Sequence, residues 1–455
     1  MMVTKLQSLR DSLHSQVSAA PLTVYRICFG LLMLFSTVRF ISKGWVTTLY
    51  VEPDFHFSYY GFEWLPYPSE IGIWILFSGL IIGSILITLG LFYRYASIGF
   101  FICFTYIELL DKANYLNHYY FVTLISFLLI FISANRQFSL DNKFGFIKSS
   151  DKCSLWEIRI LQFQIAVVYI FAGIAKIESD WLLEAQPLKY WLHTANHWPV
   201  FGDFLKQDWV AYAFSWFGCF YDLLIVLFLI IPKTRKTAYF FVLIFHLTTW
   251  LLFPIGVFPW VMMVGTLIFF APPFHEKILG FLRGSKESSN EQWQVKRRTS
   301  IIAMLAVFCL IQIVVPFRHL AYEGDVFYTE SGYRFSWRVM LMEKTADSTF
   351  YAYDAESGLN YEIDNSDFLT TNQEKMMSSQ PDMILDYANY LGECFNDTSF
   401  SKFGEILKFE TPEIRAEIYV TINARPHQLF VNNDKNLLAI ENGFAERDWL
   451  EPFEE

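Results

Sequence analysis

The chain is poor in charged residues. Only 18% of its 455 residues are Asp, Glu, Lys or Arg, whereas a soluble globular domain carries about 25%. Hydrophobic residues make up 54% of the sequence and aromatic residues 19%. This composition argues against an ordinary soluble protein and indicates an integral membrane protein. The net charge of −10 gives no indication of nucleic-acid binding.

Several motifs of catalysis and metal binding are also missing. The sequence has no GxSxG nucleophile motif, no P-loop and no dinucleotide-binding fingerprint. Its nine histidines lack the spacing of zinc ligands, and no two of its six cysteines have the spacing of a metal-binding pair. We therefore disfavour a haem or metal site and interpret the cysteines as small buried apolar residues.

A cleavable signal peptide is not predicted, because residues 1–20 are polar and amphipathic and contain no apolar core. Crossing a bilayer takes about 20 mostly apolar residues, and nine segments approach that length. They are residues 21–41, 71–92, 95–110, 117–134, 157–177, 210–231, 237–253, 256–272 and 299–317. Because some segments are short or adjacent, seven or eight spans are the alternatives. The predicted fold class is a polytopic α-helical membrane protein with a C-terminal, mainly β extracytoplasmic domain.

The distribution of lysine and arginine predicts the orientation. Loops on the N-terminal side of the spans are rich in basic residues, and a cytoplasmic N-terminus follows from the positive-inside rule. Nine spans then place the chain beyond residue 319 outside the cytoplasm. We divide the chain into a cytoplasmic segment (1–20), a transmembrane domain that carries the active site (21–319) and a soluble domain (320–455). In support of this orientation, the loops on the other side of the spans from the N-terminus contain few basic residues, namely Lys43, Lys112, Lys189 and Lys206.

Residues 320–455 differ in character from the rest of the chain. They carry 26 acidic and 10 basic residues, a net charge of −16, whereas the preceding residues have a net charge of +6. Residues 379–395 predict a helix that begins at Ser379 or Asp382. Runs rich in aromatic and β-branched residues predict strands at 332–343, 349–354, 359–363, 416–422 and 427–431.

Lys176 ends an apolar run, in the stretch VVYIFAGIAKIESDWL. If the fifth span begins near Arg159, Lys176 lies ~25 Å up a hydrocarbon core ~30 Å thick. Gln162 and Tyr169 precede it at intervals of seven, so the three side chains share a helical face that is predicted to point into the bundle. One alternative is a lysine that extends to the membrane interface. The other is a desolvated lysine, which can be a neutral amine and a general base.

Other polar residues are predicted at a similar depth. Asn117 and His118 begin the fourth span from the outside, His319 lies at the outer end of the ninth, and His246 lies near the midplane in the seventh. For each histidine alone, a hydrogen-bonded core or interface residue is the simpler interpretation. Polar sites from separate spans near the outer leaflet nevertheless indicate a shared pocket. Arg26, at or within the first span, is expected to have a structural or cytoplasmic-leaflet role.

At these residues the sequence resembles the vitamin K-dependent gamma-glutamyl carboxylases. The resemblance follows nearly the whole chain in order. It is carried by LLDKANYLNHYYF (109–121), VYIFAGIAKIESDWL (168–182), FHLTTWLLFPIGVFPWVMM (245–263), PFRHLAYEGDVFYTESGYRFSWRVML (316–341), IYVTINARPHQLF (418–430) and FAERDWLEP (444–452). The short form and the lack of a clear counterpart to the animal cysteine bridge indicate a bacterial homologue in the inner membrane.

The resemblance implies an enzyme that couples oxygen-dependent epoxidation of vitamin K hydroquinone, or of menaquinol, to carboxylation of Glu in a protein or peptide. Lys176, as a free amine, would take a proton from the hydroquinone, while Asn117 and His118 would stabilise the developing anion. An alkoxide formed during epoxidation would remove the γ-proton of Glu, and the carbanion would capture carbon dioxide. No metal is expected. The expected cofactor-binding residues are Tyr115, Tyr169, His246 and His319.

Two other functions are alternatives to carboxylation. The first is an orphan quinol epoxidase or monooxygenase that fixes no carbon dioxide. The second is a non-enzymatic membrane protein with a transport or structural role. Transport would be favoured by broken helices in matching halves of the chain, but the sequence shows no half-to-half symmetry.

Overall fold

The computed structural model describes residues 11–194, 202–283, 299–354, 356, 358–396, 409, 411–443 and 447–453. The α-helices are α1 (Ala20–Ser42), α2 (Glu70–Leu89), α3 (Tyr93–Leu110), α4 (Asn117–Phe131), α5 (Leu140–Lys143), α6 (Leu155–Ile174), α7 (Ser179–Leu182), α8 (Leu188–Thr194), α9 (Gly202–Leu205), α10 (Asp208–Ile230), α11 (Arg235–Leu252), α12 (Phe258–Thr266), α13 (Pro272–Arg283), α14 (Thr299–Val314), α15 (Val326–Thr329), α16 (Thr371–Met377) and α17 (Pro381–Asn396). The strands are β1 (Gln16–Ser18), β2 (Lys152–Ser154), β3 (Lys344–Asp354), β4 (Asn360–Ile363), β5 (Pro412–Ile422) and β6 (Gln428–Leu429).

The prediction of a helical membrane protein with C-terminal strands is confirmed, but the number of nine spans is not. Each predicted span falls on a helix. In the part of the chain that the structure describes, five helices are long and apolar enough to cross a membrane, or six if a bent pair counts as one span. The bent pair, Phe258–Phe269 and Pro272–Phe281, turns by 113°. The five are Ala20–Ser42, Glu70–Leu89, Leu155–Ile174, Asp208–Ile230 and Ser300–Ala321.

The helices of the N-terminal part pack around one apolar core. Helix α6 lies at its centre, and most of its apolar residues between Ile158 and Phe171 are buried. The buried guanidinium of Arg26 on α1 donates hydrogen bonds to backbone carbonyl groups at the C-terminal end of α2 and in the segment that follows α4. Arg26 therefore ties α1 to the C-terminal end of α2 and to the segment that follows α4, where backbone carbonyl groups need partners outside a helix.

The C-terminal part is a four-stranded antiparallel sheet in the order β4-β3-β5-β6. Strands β3 and β5 are paired along their whole length, from Lys344 opposite Ile422 to Asp354 opposite Pro412. Alternate residues of both strands are buried against α17, whose apolar face is typical of an amphipathic helix. Four of the five predicted strand runs and the predicted helix therefore lie on observed elements.

The strand predicted at residues 332–343 is wrong. The structure has turns and irregular backbone there, and the residues Phe335, Trp337 and Met340 adopt positive φ angles between 54° and 64°. A residue in the left-handed region cannot continue an extended strand. Trp337 is 1% exposed and belongs to the core of the membrane helices. The aromatic residues of this segment therefore anchor the C-terminal domain to the helices and do not form a sheet.

Buried ionic contacts also join the two parts of the chain. Lys112, just after α3, has its Nζ atom 3.0 Å from Asp382 and 2.6 Å from Asp386 on α17. At a second place, Asp180 on α7 accepts hydrogen bonds from Asn423 and Arg425 beyond β5. These contacts hold the sheet domain over one end of the membrane helices.

A buried lysine and its neighbouring cavities

Helices α6 and α10 pack closely enough to place a lysine against an aspartate. A Cβ atom on Gly173 of α6 would lie 2.8 Å from Leu223 Cγ on α10, so glycine allows this close approach. Helix α6 ends at Ile174, and Lys176 lies in the following turn. The Lys176 Nζ atom donates to Asp222 Oδ2 at 2.8 Å and to the Ala172 carbonyl oxygen at 3.2 Å.

Both members of this pair are shielded from the surface. Lys176 is 6% exposed and Asp222 is 5% exposed. The Lys176 Nζ atom also lies 5.5 Å from the centre of the Trp181 ring, at cation–π distance. The lysine side chain is therefore turned into the protein, and it does not extend to a membrane interface.

The pair lines a cavity of about 90 Å³. Most of the lining is aliphatic or aromatic, which is typical of small-molecule sites. Two more polar side chains lie in the wall, since Tyr169 of α6 and His246 of α11 are hydrogen-bonded to each other at 2.8 Å. Tyr169 and His246 are thus brought together with Lys176 in one cavity wall.

A larger groove of about 1160 Å³ adjoins the cavity. It is lined by Asn117 and His118 at the start of α4, and its charged lining residues, Arg39 and Arg338, are both basic. Its rim includes exposed apolar side chains of α1 and α11, which are typical of a surface that faces lipid. The residues that line both the groove and the cavity are Phe253, Ile255, Phe258, Val339 and Met340.

Phe258 lies between the two predicted histidines of the membrane part. Its ring centre is 6.0 Å from that of His118 and 6.2 Å from that of His246. The two histidines therefore line different spaces that a thin apolar wall separates.

Asn117 and two of the expected cofactor-binding residues have protein partners. The Asn117 amide donates to the Arg338 carbonyl oxygen at 3.1 Å and accepts from the Tyr115 hydroxyl at 3.1 Å. His319 is hydrogen-bonded through Nε2 to the Arg338 side chain at 3.0 Å and through Nδ1 to the Pro316 carbonyl oxygen at 2.9 Å. Tyr115 and His319 are not among the described residues that line the cavity or the groove.

Asp222 was not among the site residues predicted from the sequence. The residue lies in the apolar helix α10, where the other charged residue is Asp208 at the first position. An acidic residue inside an apolar helix requires a partner, because an isolated charge is costly in the membrane. This signal was available in the sequence, but it does not reveal which basic residue is the partner.

Two carboxyl groups next to the cavity wall have shifted pKa values. Hydrogen bonds from Arg425 hold the pKa of Asp180 below its ordinary value. Burial, with a smaller contribution from the charge of Asp180, raises the pKa of Glu178 to about 7. Glu178 accepts the backbone N–H groups of Asp180 and Trp181, and so caps the short helix α7 that holds the Trp181 ring beside Lys176.

Two family models match the chain. Residues 14–274 match the HTTM domain, and residues 297–455 match the lumenal domain of vitamin K-dependent gamma-carboxylase. The chain belongs to the vitamin K-dependent gamma-glutamyl carboxylase family. Membership of this carboxylase family implies a vitamin K cofactor and a Glu-containing substrate. No solved structure matches the chain.

The cavity and the groove are lined by residues from both segments that match the family models. The cavity with Lys176 and the groove with His118 lie in the part that matches the HTTM domain, whereas Val339 and Met340, which line both, belong to the lumenal-domain match. Across the residues that the structure describes, no group of three or more His, Cys, Asp and Glu side chains is arranged to hold a metal ion.

Proposed function

We propose that this protein is an integral membrane gamma-glutamyl carboxylase. It couples oxygen-dependent epoxidation of a reduced vitamin K-type quinone to the carboxylation of Glu side chains in a protein or peptide. The observation that carries the proposal is the buried Lys176 nitrogen in an apolar cavity, in a chain of this family. A buried lysine nitrogen in such a cavity is suited to taking part in proton abstraction from a weakly acidic hydroxyl group.

The residues of the cavity fit a reduced quinone. Its lining is largely apolar, as a naphthalene-type ring system requires, and Tyr169 and His246 supply hydrogen-bonding groups close to Lys176. When bound, the reduced quinone supplies reducing equivalents and a base stronger than any side chain. Tyr169 and His246 are proposed to bind its oxygen atoms, while Tyr115 and His319 act at a distance through their contacts with residues 335–338.

The groove provides the second half of the proposed site. His118 lines it, and the amide of Asn117 is held in place by Arg338 and Tyr115. Both side chains are proposed to stabilise negative charge as preorganised donors. Arg39 and Arg338 suit the carboxylate of a substrate Glu, because guanidinium groups bind carboxylates with two parallel hydrogen bonds.

Exclusion of water is the remaining requirement. A strong base and a carbanion are both quenched by water, so the reaction needs a closed, apolar space. The aromatic residues Trp181, Trp191 and Phe253 line the cavity around Lys176. We further propose an N-terminus in the cytoplasm and a C-terminal domain outside it, so that Glu substrates reach the groove from the extracytoplasmic side.

The proposal is tested with the purified protein. Reduced vitamin K or menaquinol, labelled bicarbonate and a Glu-containing peptide are supplied, and epoxide and fixed label are both measured. Lys176→Ala should abolish both products. The matched control is Lys189→Ala, because the Lys189 amine contacts the Tyr212 hydroxyl at 3.1 Å and does not line the cavity.

Each other outcome selects a different function. Epoxide without fixed label from the wild-type protein would identify an orphan quinol epoxidase. If the wild-type protein forms neither product with either quinone, a non-enzymatic membrane protein would be favoured. Wild-type activity in Lys176→Ala would exclude this lysine as the base.

A further inference from the structure

The buried lysine has a carboxylate as its closest partner. Among the described residues that line the cavity, Asp222 is the only acid and Lys176 the only lysine or arginine. Their charged atoms are 2.8 Å apart. At such a distance the opposite charges of an ammonium and a carboxylate attract each other strongly.

The charge of the pair restricts which protonation states are accessible. An ammonium and a carboxylate together have no net charge. A free amine beside a carboxylate would instead leave one uncompensated negative charge in an apolar, buried space, and an unpaired buried charge is strongly unfavourable. A resting free amine at Lys176 is therefore disfavoured as long as Asp222 is ionised.

We infer that the proton acceptor of this site is the Lys176–Asp222 pair, and that Asp222 holds the proton after transfer. This inference rests on the proposed function. Before transfer the cavity contains a neutral O–H donor, an ammonium and a carboxylate. The O–H bond breaks and its electron pair stays on the oxygen. One ammonium proton of Lys176 passes to Asp222 Oδ2, and the proton from the O–H bond takes its place on Lys176 Nζ.

The net charge of the site is the same before and after this step. A carboxylic acid, an ammonium and an oxygen anion replace a carboxylate, an ammonium and a neutral hydroxyl. The positive Lys176 then faces the new anion and stabilises it. A lone amine acting as base would have to start unprotonated next to a carboxylate, which is the less favourable starting state.

The geometry provides the path that this step needs. An ammonium group has three N–H donors. At Lys176 one points to Asp222 and one to the Ala172 carbonyl oxygen, so one remains for a ligand in the cavity. The hydrogen bond to Asp222 already exists, and the transfer needs no movement of the backbone.

Other titratable groups face the pair from the surrounding helices. Cys219 on α10 points its thiol to the Gly173 carbonyl oxygen, and Tyr169 on α6 is bonded to His246 on α11. On α7, Asp180 is bonded to Arg425. Each of these groups has a partner of its own, whereas the Asp222 carboxylate is bonded to Lys176 itself.

The decisive variant is Asp222→Asn, which keeps the shape of the side chain and removes its negative charge. The first measurement on this variant needs no quinone. Lys176 is reductively methylated with formaldehyde across a pH range, and the modified fraction is determined by mass spectrometry. Loss of the carboxylate should move the labelling midpoint to lower pH by ~1–3 units.

The second measurement is quinol consumption as a function of pH. Although Asp222→Asn has more free amine at neutral pH, its rate should fall at least ~100-fold, the usual contribution of a positioned proton acceptor. Asp222→Glu should recover part of the rate. Glu108→Gln is the matched control, since Glu108 is a carboxyl group on α3 that lines neither the cavity nor the groove; it should change neither measurement.

Two results would overturn the inference. If the labelling midpoint drops and the Asp222→Asn rate is preserved or increased, the lysine alone is the base. If the labelling midpoint does not move, the pair is not coupled. A wild-type protein that consumes no quinol would refute the proposed function, and the labelling curves would then decide on the pair alone.

Discussion

Arg425→Met should loosen the contact between the C-terminal domain and the wall of the cavity. Arg425 donates two hydrogen bonds to Asp180, at 2.6 and 2.8 Å, and Asn423 donates a third at 2.7 Å. Asp180 precedes Trp181, whose ring lies beside Lys176. The substitution removes two of the three hydrogen bonds and the positive charge, and it leaves a largely buried carboxylate behind.

The magnitude follows from the exposure of the two side chains. Hydrogen bonds to charged groups contribute about 1.5–3 kcal/mol, and breaking a fully buried ion pair costs about 3–5 kcal/mol. The Asp180 side chain is 13% exposed and that of Arg425 is 29% exposed, so solvent screening reduces these values. We expect a loss of about 1–2 kcal/mol in the free energy of unfolding.

The effect should depend on pH in one direction. Because Arg425 holds the pKa of Asp180 below its ordinary value in the folded protein, the ionised carboxyl stabilises the fold above the unfolded pKa of about 3.9. That stabilisation is lost as the pH falls toward the folded value. The difference between wild type and Arg425→Met should be complete at neutral pH and should shrink below about pH 4.

Thermal unfolding in detergent, at neutral and at acidic pH, measures both effects. A double-mutant cycle with Asp180→Asn isolates the coupling between the two side chains. Arg415→Met is the control, because Arg415 on β5 contacts Glu413 of the same strand at 2.7 Å. This ion pair lies within the C-terminal domain and does not link it to the membrane helices. A coupling energy of zero, or equal destabilisation by the control, would refute the reasoning.

Three further substitutions should have measurable effects. Gly173→Ala should push Leu223 and α10 away from α6 and so lower the kcat of quinol turnover at least ~10-fold. An unchanged kcat would show that the two helices adapt to the added methyl group. Lys112→Met should leave Asp386 without its ionic partner, while Asp382 keeps its ion pair with Arg334; the cost should be about 1.5–3 kcal/mol in thermal unfolding, and a neutral result would contradict this. The pKa of Glu178, raised to about 7, means that its ionisation opposes folding. The melting temperature of wild type relative to Glu178→Gln should therefore fall as the pH rises from about 4.5 to 7, and a constant difference would contradict the shifted pKa.

The sequence was sufficient to locate the catalytic candidate. A lysine at the end of an apolar run is unusual enough to be noticed without a structure, and the seven-residue spacing placed Tyr169 on its face. In the fold, Tyr169 and His246 line the same cavity as Lys176. The spacing of residues along one helix predicts which side chains share a face, and a polar residue stands out in an apolar helix. Both kinds of signal can be seen without a structure.

Contacts between distant segments could not be predicted in the same way. The pairing of Lys176 with Asp222 spans 46 positions and depends on how closely α6 and α10 approach. The strand predicted around Trp337 failed for a related reason. Its aromatic pattern fits a strand, but the side chains pack among membrane helices and the backbone adopts left-handed conformations to place them there. Packing of this kind overrides local propensity.

Val339 and Met340 line the cavity from the side of the sheet domain, whereas Lys176 and Asp222 line it from the membrane helices. The wall around the buried ion pair is therefore built from both parts of the chain. In chimeras between family members, the segment carrying Val339 and Met340 and the helices beneath it should be exchanged as a unit, because side chains of both parts form the same wall.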